Sequence, residues 1–118
     1  MKLLTQAHRQ IMIENGREQD TVRGTEEEID FAPVVKLFNP CGAATWLLTE
    51  LDPEDDDIAF GLCDLGMQCP ELGSVRISEL EAIRGPLGLG IERDLHFRPK
   101  TTLMGYACEA WKVGRIVA

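Results

Sequence analysis

The chain has 118 residues, of which 44% are hydrophobic and 27% charged, and its formal net charge at pH 7 is −8. These values are typical of one compact globular domain over residues 1–118, and they exclude collagen-like, coiled-coil and wholly disordered chains. No apolar run reaches the roughly 18 residues that a membrane span needs, and the start of the chain turns polar too early for a signal peptide, so we expect a cytoplasmic protein without a membrane partner.

The first third of the chain predicts one helix and one strand. The helix covers about residues 5–15 and is predicted to end at Gly16, a typical C-terminal cap residue. The polar stretch 17–30 is typical of a surface connection, and residues 33–38 predict a strand. The apolar side of the helix is predicted to consist of Leu4, Ala7 and Ile11.

Residues 44–51 and 58–65 flank a short acidic segment that contains proline, a pattern that predicts a β-hairpin. Pairing Leu51 with Ile58 gives the hairpin two faces, both largely apolar, so we expect it to be central and covered on both sides. Asp64 is then a buried carboxylate, for which we expect Thr45 across the hairpin as the hydrogen-bond partner. One face carries Thr45, Leu47, Thr49, Leu51, Ile58, Phe60, Leu62 and Asp64, and the other carries Trp46, Leu48, Glu50, Ala59, Gly61, Cys63 and Leu65.

The second half of the chain predicts two strands and two helices. A short strand at 74–77 precedes a helix that a Ser78-x-x-Glu81 capping box opens. Residues 90–98 alternate between apolar and charged side chains, which is typical of a half-exposed strand. The last helix covers about 102–113, with Tyr106 and Trp111 on its apolar side.

The resulting order of elements, α-β-β-β-β-α-β-α, predicts an α+β fold. Because the strands follow one another with short connections, we expect a single domain with a largely antiparallel sheet of four to five strands and three helices.

Long motifs are spread along the chain: MKLLT at 1–5, VVKLF at 34–38, TWLLTELDP at 45–53, FGLCDLG at 60–66, PELG at 70–73 and ERDL at 92–95. Through these motifs, and over nearly its whole length, the chain resembles a family of small bacterial proteins classed as a domain of unknown function. The resemblance implies a protein carried by plasmids, integrative conjugative elements and phages, often near anti-restriction and DNA-transfer genes. It implies no established activity.

Charge is distributed unevenly along the chain. Between Leu37 and Val75 there is no Lys, Arg or His. Such a segment projects a negative field that attracts a basic partner, and it disfavours direct binding to nucleic-acid phosphates, which depends on Lys and Arg. We therefore predict that its acidic residues bind a basic surface of a host DNA-binding or nuclease protein. These residues are Glu50, Asp52, Glu54, Asp55, Asp56, Asp57, Asp64 and Glu71.

The acidic segment has two other interpretations. Several neighbouring carboxylates suit a hard cation such as Ca²⁺, although the ladder of an EF-hand is absent. A loop whose charges are only solvated explains the same composition. We expect no metal and no cofactor.

The alternative to an interaction protein is an enzyme. Glu92, Asp94 and His96 would share one face of the strand at 90–98, with Glu50 or Asp64 nearby, and His is suited to proton transfer near neutral pH. These residues predict a small hydrolase or metal-assisted enzyme. The same charges on an edge strand would otherwise serve to prevent sheet-to-sheet aggregation.

The four cysteines, Cys41, Cys63, Cys69 and Cys108, lack the close pairs of a structural zinc site. We expect them to be reduced and buried as small apolar residues. Catalysis by Cys63 or Cys69 with His96 requires that the fold bring them together.

The function that these observations favour is a small acidic, non-enzymatic protein of a mobile genetic element. It would be an anti-restriction or anti-CRISPR type blocker that covers a basic surface or mimics phosphate. A structural accessory subunit of a conjugation or replication complex is a further alternative.

Overall fold

The computed structural model describes residues 2–118, which form three α-helices and one five-stranded sheet. The helices are α1 (Gln6–Val22), α2 (Ile77–Ala82) and α3 (Leu103–Val113), with a single 3₁₀ turn at Pro86–Gly88. The strands are β1 (Val35–Phe38), β2 (Thr45–Asp52), β3 (Asp55–Asp64), β4 (Glu71–Arg76) and β5 (Glu92–Arg93).

The sheet has the order β4-β3-β2-β1-β5, and every neighbouring pair is antiparallel. The predicted α+β fold, its antiparallel sheet and its order of elements are therefore confirmed. In this order the long β2–β3 hairpin lies between β4 and β1. Strand β5, at the edge, pairs with β1 through only two residues.

The two faces of the sheet carry separate hydrophobic cores, which confirms a hairpin covered on both sides. We call the face packed by α1 and α2 the closed face; its core includes Met12, Trp46, Leu48, Leu51 and Leu80. We call the face packed by α3 and the C-terminal residues the open face. Its smaller core consists of Leu47, Leu62, Leu103, Tyr106, Ala107, Ala110 and Ile116.

A β-bulge at Thr49 decides which side chains of β2 lie on which face. From Thr45 to Leu48 the strands pair as predicted, but beyond the bulge Glu50 pairs with Phe60 and Leu51 with Ala59. Leu51 therefore lies in the closed-face core and Glu50 on the open face, so the predicted faces are wrong for these two residues. The bulged carbonyl of Thr49 accepts a 2.9 Å hydrogen bond from the Asn15 side chain.

The prediction that the first helix ends at Gly16 is wrong, because α1 continues to Val22. Gly16 is buried, and a Cβ atom there would overlap the carbonyl oxygen of Leu51. This glycine lets the helix approach the bulged strand rather than ending the helix. The buried residues of α1 are Met12, Gly16 and Gln19, whereas the predicted core residue Ile11 is 48% exposed.

The predicted strand at 90–98 is also wrong beyond its first residues. The chain turns at Asp94, whose side chain accepts a 2.9 Å hydrogen bond from the His96 amide. As a result Ile91 packs in the closed-face core, Phe97 packs against the open-face core, and Leu95 is exposed. Apolar and charged side chains alternate along this turn as they do along a strand, which is why the pattern predicted a strand here.

One residue in each of α2 and α3 differs from expectation. Ser78 lies inside the first turn of α2, and its amide and hydroxyl both donate to the carboxylate of Asp57, at 2.9 and 2.6 Å. Trp111 of α3 is half exposed, and its indole donates a 2.8 Å hydrogen bond to the carbonyl of Pro70. Among residues 2–118, no helix combines the length and apolarity needed to cross a bilayer.

Candidate functional site

The acidic turn, residues 52–57, is tighter than a six-residue loop. Strand β3 begins at Asp55, so only Pro53 and Glu54 connect the paired residues Asp52 and Asp55. The Asp52 carboxylate accepts a 2.9 Å hydrogen bond from the Glu54 amide, and Asp55 accepts one of 3.2 Å from the Asp57 amide. Two side chains of the turn thus fix its own backbone.

Two of the acids in the turn are engaged with Arg76. Its guanidinium lies 3.2 Å from Asp55 and 3.6 Å from Asp57. Hydrogen bonds from Ser78, and then the charge of Arg76, hold the pKa of Asp57 below its ordinary value. Asp55 and Asp57 therefore tie the hairpin to the start of α2.

Within the described part of the chain, the other acids of the turn are not engaged by a cation. Asp52, Glu54 and Asp56 are exposed, and within residues 2–118 their carboxylates form no ion pair. Arg9 approaches this segment but donates to the main-chain carbonyl of Asp56, at 3.1 Å, and not to its carboxylate. The predicted Glu71 is also exposed, on the edge strand β4.

Asp64 is buried, with 2% of its surface exposed, and so is removed from the predicted partner surface. Its two carboxylate oxygens accept hydrogen bonds from the amides of Gly66 and Ile116, at 2.8 and 3.0 Å. Thr45 is the cross-strand neighbour, as expected, but the partners are main-chain amides. Asp64 thus fixes the C-terminal segment against the sheet.

Glu50 is likewise only 5% exposed, and it too is removed from the predicted partner surface. Its carboxylate lies 3.3 Å from the guanidinium of Arg23, and the same guanidinium nitrogen lies 2.8 Å from Asp20. Burial raises the pKa of Glu50 above its ordinary value, and Arg23 partly opposes this shift. The bulge at Thr49 is the reason for this placement, because it moves Glu50 to the open face.

Glu50 lines two adjoining cavities on the open face, of about 190 and 300 Å³, which share Glu50 and Phe60. We call them together the acidic groove. Its lining combines apolar residues with acidic residues from three separate parts of the chain. The apolar lining includes Ile29, Ile58, Phe60, Leu72, Leu103 and Met104, and the acids are Asp20, Glu28, Asp30, Glu50 and Asp52. Sequence reasoning missed this site because its acids are far apart along the chain.

The proposed catalytic residues Glu92, Asp94 and His96 line one cavity of about 500 Å³ beside β5, together with Lys36. Asp94 is already engaged: it accepts from the His96 amide and lies 3.5 Å from the ammonium of Lys36. Lys36 also donates a 2.7 Å hydrogen bond to the carbonyl of Ala118. The structure therefore gathers the three residues, but Glu50 and Asp64 line other cavities.

All four cysteines are free thiols. Cys41, Cys69 and Cys108 are exposed, so the expectation that they are buried is wrong. Cys63 packs against the closed-face core, where burial and then the charge of Glu71 raise the pKa of its thiol to about 11. Neither Cys63 nor Cys69 lines the cavity of His96. Residues 2–118 contain no cluster of three or more His, Cys, Asp or Glu side chains arranged to hold a metal ion.

Comparison with protein-family models matches residues 3–117 to a family described as "Protein of unknown function (DUF2958)". Comparison with curated proteins and with solved structures gave no match.

Proposed function

The chain belongs to the DUF2958 family of proteins of unknown function, and we propose that it is a non-enzymatic interaction protein whose acidic turn docks on a basic surface of a DNA-handling protein. In the mobile genetic element that the sequence resemblance implies, the target is a host defence protein of the restriction or CRISPR type. The bound protein blocks the surface on which that target holds DNA.

The observation that carries this proposal is the projection of Asp52, Glu54 and Asp56 from a turn whose backbone is fixed. Their charges have no ion-pair partner among the described residues, and the turn is already ordered. A partner therefore meets a preformed array of negative charge and loses little entropy in ordering it. Lys and Arg side chains that normally neutralise DNA phosphates suit such an array.

The fold also supplies an electrostatic bias around the turn. The segment from Leu37 to Val75, which contains the whole β2–β3 hairpin, has no basic residue. Two cations from outside this segment approach the turn: Arg76 is occupied by Asp55 and Asp57, and Arg9 donates to the main-chain carbonyl of Asp56. Association with a basic partner is thus expected to be fast at low salt and to slow as salt is added.

The test neutralises Glu54 and Asp56, the two acids of the turn whose side chains form no hydrogen bond or ion pair within residues 2–118. A Glu54→Gln/Asp56→Asn double variant keeps the hydrogen bond from the Glu54 amide to Asp52. The matched control, Glu26→Gln/Glu27→Gln, makes the same change of charge at two exposed residues outside the turn. A partner is first captured from host lysate at low salt, released by salt and identified by mass spectrometry.

Its dissociation constant for each purified variant is then measured over a salt series. We expect the turn variant to bind about five- to tenfold more weakly at low salt and to show a flatter salt dependence, while the control changes by less than about twofold. Equal affinities for the turn variant and the wild type contradict the proposal. An empty eluate from a folded protein contradicts it as well.

A second candidate function is favoured by the cavity beside β5. Because Glu92, Asp94 and His96 line one space with Lys36, we propose as the alternative a small hydrolase in which His96 transfers the proton. Asp94 would then position the turn through the His96 amide.

A panel of chromogenic esters and phosphate esters tests this alternative, with His96→Asn and Lys100→Gln compared with the wild type. Lys100 is exposed and does not line the cavity, so its variant is the control. Turnover that His96→Asn abolishes and Lys100→Gln retains supports a hydrolase. Turnover that both variants retain contradicts the hydrolase, and so does the absence of any turnover above the rate in buffer alone.

A further inference from the structure

The acidic groove differs from the acidic turn because it offers apolar surface as well as charge. Phe60 is half buried on its floor, and Ile29 and Met104 at its rim are 37% and 38% exposed. A cavity that combines an apolar floor with a few placed polar groups is the usual form of a recognition site. A solvated cluster of acids would have no such floor.

The charge of the groove favours a cation. Among the described residues, its lining includes one basic residue, Arg23, and five acidic residues, Asp20, Glu28, Asp30, Glu50 and Asp52. Glu50 is nearly fully buried at the point where the two cavities meet. A buried carboxylate gains most from a partner that supplies both charge and hydrogen bonds.

The unbound protein already places a guanidinium in this groove. Arg23 lies 3.3 Å from Glu50, but its side chain is 53% exposed and its shorter contact, 2.8 Å, is with Asp20. Arg23 can therefore keep its contact with Asp20 when another cation takes its place at Glu50. The planar guanidinium suits this position because it pairs with a carboxylate and lies well against an aromatic ring such as Phe60.

From this geometry we propose that the acidic groove binds an arginine side chain of a protein partner, flanked by apolar residues, and that Arg23 occupies its place in the unbound protein. The inference rests on the proposed function, because the same DNA-handling partner supplies the arginine. The acidic turn attracts the partner's basic surface, and the groove recognises one residue of it.

The test uses the full chain, labelled with ¹⁵N, and a short peptide, Ac-Ala-Leu-Arg-Leu-Ala-NH2, whose binding is followed by amide chemical shifts. We expect shifts that concentrate at Ile29, Phe60 and Ser74, which line the groove. Replacing the arginine of the peptide with citrulline, which is neutral and of similar shape, is expected to weaken binding by about tenfold or more. Replacing both leucines with serine is expected to weaken it by about threefold or more.

Three variants separate a specific site from general attraction. Glu50→Gln is expected to weaken the peptide about tenfold, because it removes the charge that pairs with the guanidinium. Arg23→Gln is expected to tighten binding by about threefold, whereas Arg17→Gln, an equal change of charge at an exposed residue of α1, should alter it less than about twofold. Correct folding of each variant is read from the same spectra.

The inference is overturned if the citrulline peptide binds as well as the arginine peptide, or if Arg23→Gln and Arg17→Gln change affinity equally. Its failure is distinct from failure of the proposed function. Glu54→Gln/Asp56→Asn leaves the groove lining intact and tests the turn alone. A partner lost from that variant but retained by Glu50→Gln keeps the proposed function and rejects the groove.

Discussion

The two faces of the sheet differ in how closely they are packed and in the polarity of their buried side chains. On the closed face, α1 approaches β2 closely enough that only glycine fits at position 16, and the buried side chains there are almost all apolar. On the open face, Phe60 and Leu72 are only half buried against the core that contains α3, and Ser74 is exposed. The two buried carboxylates of the described chain, Glu50 and Asp64, both lie on this face.

This difference indicates that the closed face mainly stabilises the fold, whereas the open face carries the acidic groove proposed to bind a partner. Close apolar packing supplies most of the free energy of folding, so the closed face is expected to dominate stability. Buried charges stabilise little overall, and they are tolerated where they order a segment or bind a ligand. Asp64 orders the C-terminal segment and Glu50 faces the groove, so substitutions on the two faces should differ in both size and kind.

The largest effect is expected from Gly16→Ala on the closed face. A methyl group there overlaps the carbonyl of Leu51, so α1 must move away from the bulged strand. We expect the free energy of unfolding to fall by about 3 kcal/mol, although alanine favours a helix over glycine by about 1 kcal/mol. Urea unfolding followed by circular dichroism measures this change.

Gly73→Ala is the control for that measurement, since a methyl group at Gly73 meets nothing within 4 Å. We expect it to leave stability within about 0.5 kcal/mol of the wild type or to raise it slightly. Equal stability of the two alanine variants would show that the closed face yields as easily as an open strand and would end the distinction between the faces.

An intermediate effect is expected from Asp64→Asn on the open face. Both carboxylate oxygens of Asp64 accept main-chain hydrogen bonds, and an amide retains only one acceptor, so one of the two N–H groups loses its partner. We expect a loss of about 2 kcal/mol and faster hydrogen exchange at Ile116. Thr45→Val should change stability by less than about 0.5 kcal/mol, because Thr45 is not the partner of Asp64.

The sequence predicted the fold well because patterns of neighbouring residues determine most of it. The hairpin, its cover on both sides and the last helix follow from alternation and helical spacing, and the structure confirms them. The prediction that Gly16 ends the helix was wrong because the role of this glycine depends on its contact with Leu51, a residue distant in sequence. Local patterns carry no signal of such a contact.

The candidate site was predicted less well, and the bulge at Thr49 is the main reason. One extra residue in β2 exchanges the faces of Glu50 and Leu51, and no pattern in the sequence of the strand predicts this bulge. The acidic groove then combines Glu50 with Asp20 and Glu28, which no local motif connects. Only the exposed acids of the turn could be predicted from composition alone.

Glu50→Gln is expected to change stability less than Asp64→Asn does, and the dependence of this change on pH tests how the Glu50 carboxylate is stabilised. At neutral pH the variant loses the contact with the half-exposed Arg23 but no longer buries a charge, so we expect a change within about 1 kcal/mol. Burial raises the pKa of Glu50 in the folded state above the value that it has in the unfolded chain.

Between those two pKa values the folded protein therefore binds the proton more readily, and the wild type gains stability as the pH falls through this interval. The glutamine variant cannot gain in this way, while the other carboxylates of the chain are common to both proteins. The difference in unfolding free energy, wild type minus Glu50→Gln, should hence increase as the pH falls from neutral to 4.5, the ordinary pKa of a glutamate side chain, and then level off. A difference that decreases over this interval would mean that Arg23 stabilises the charge more than burial opposes it, and Glu50 would then hold its own fold together as Asp64 does, leaving no reason for a second guanidinium to bind there.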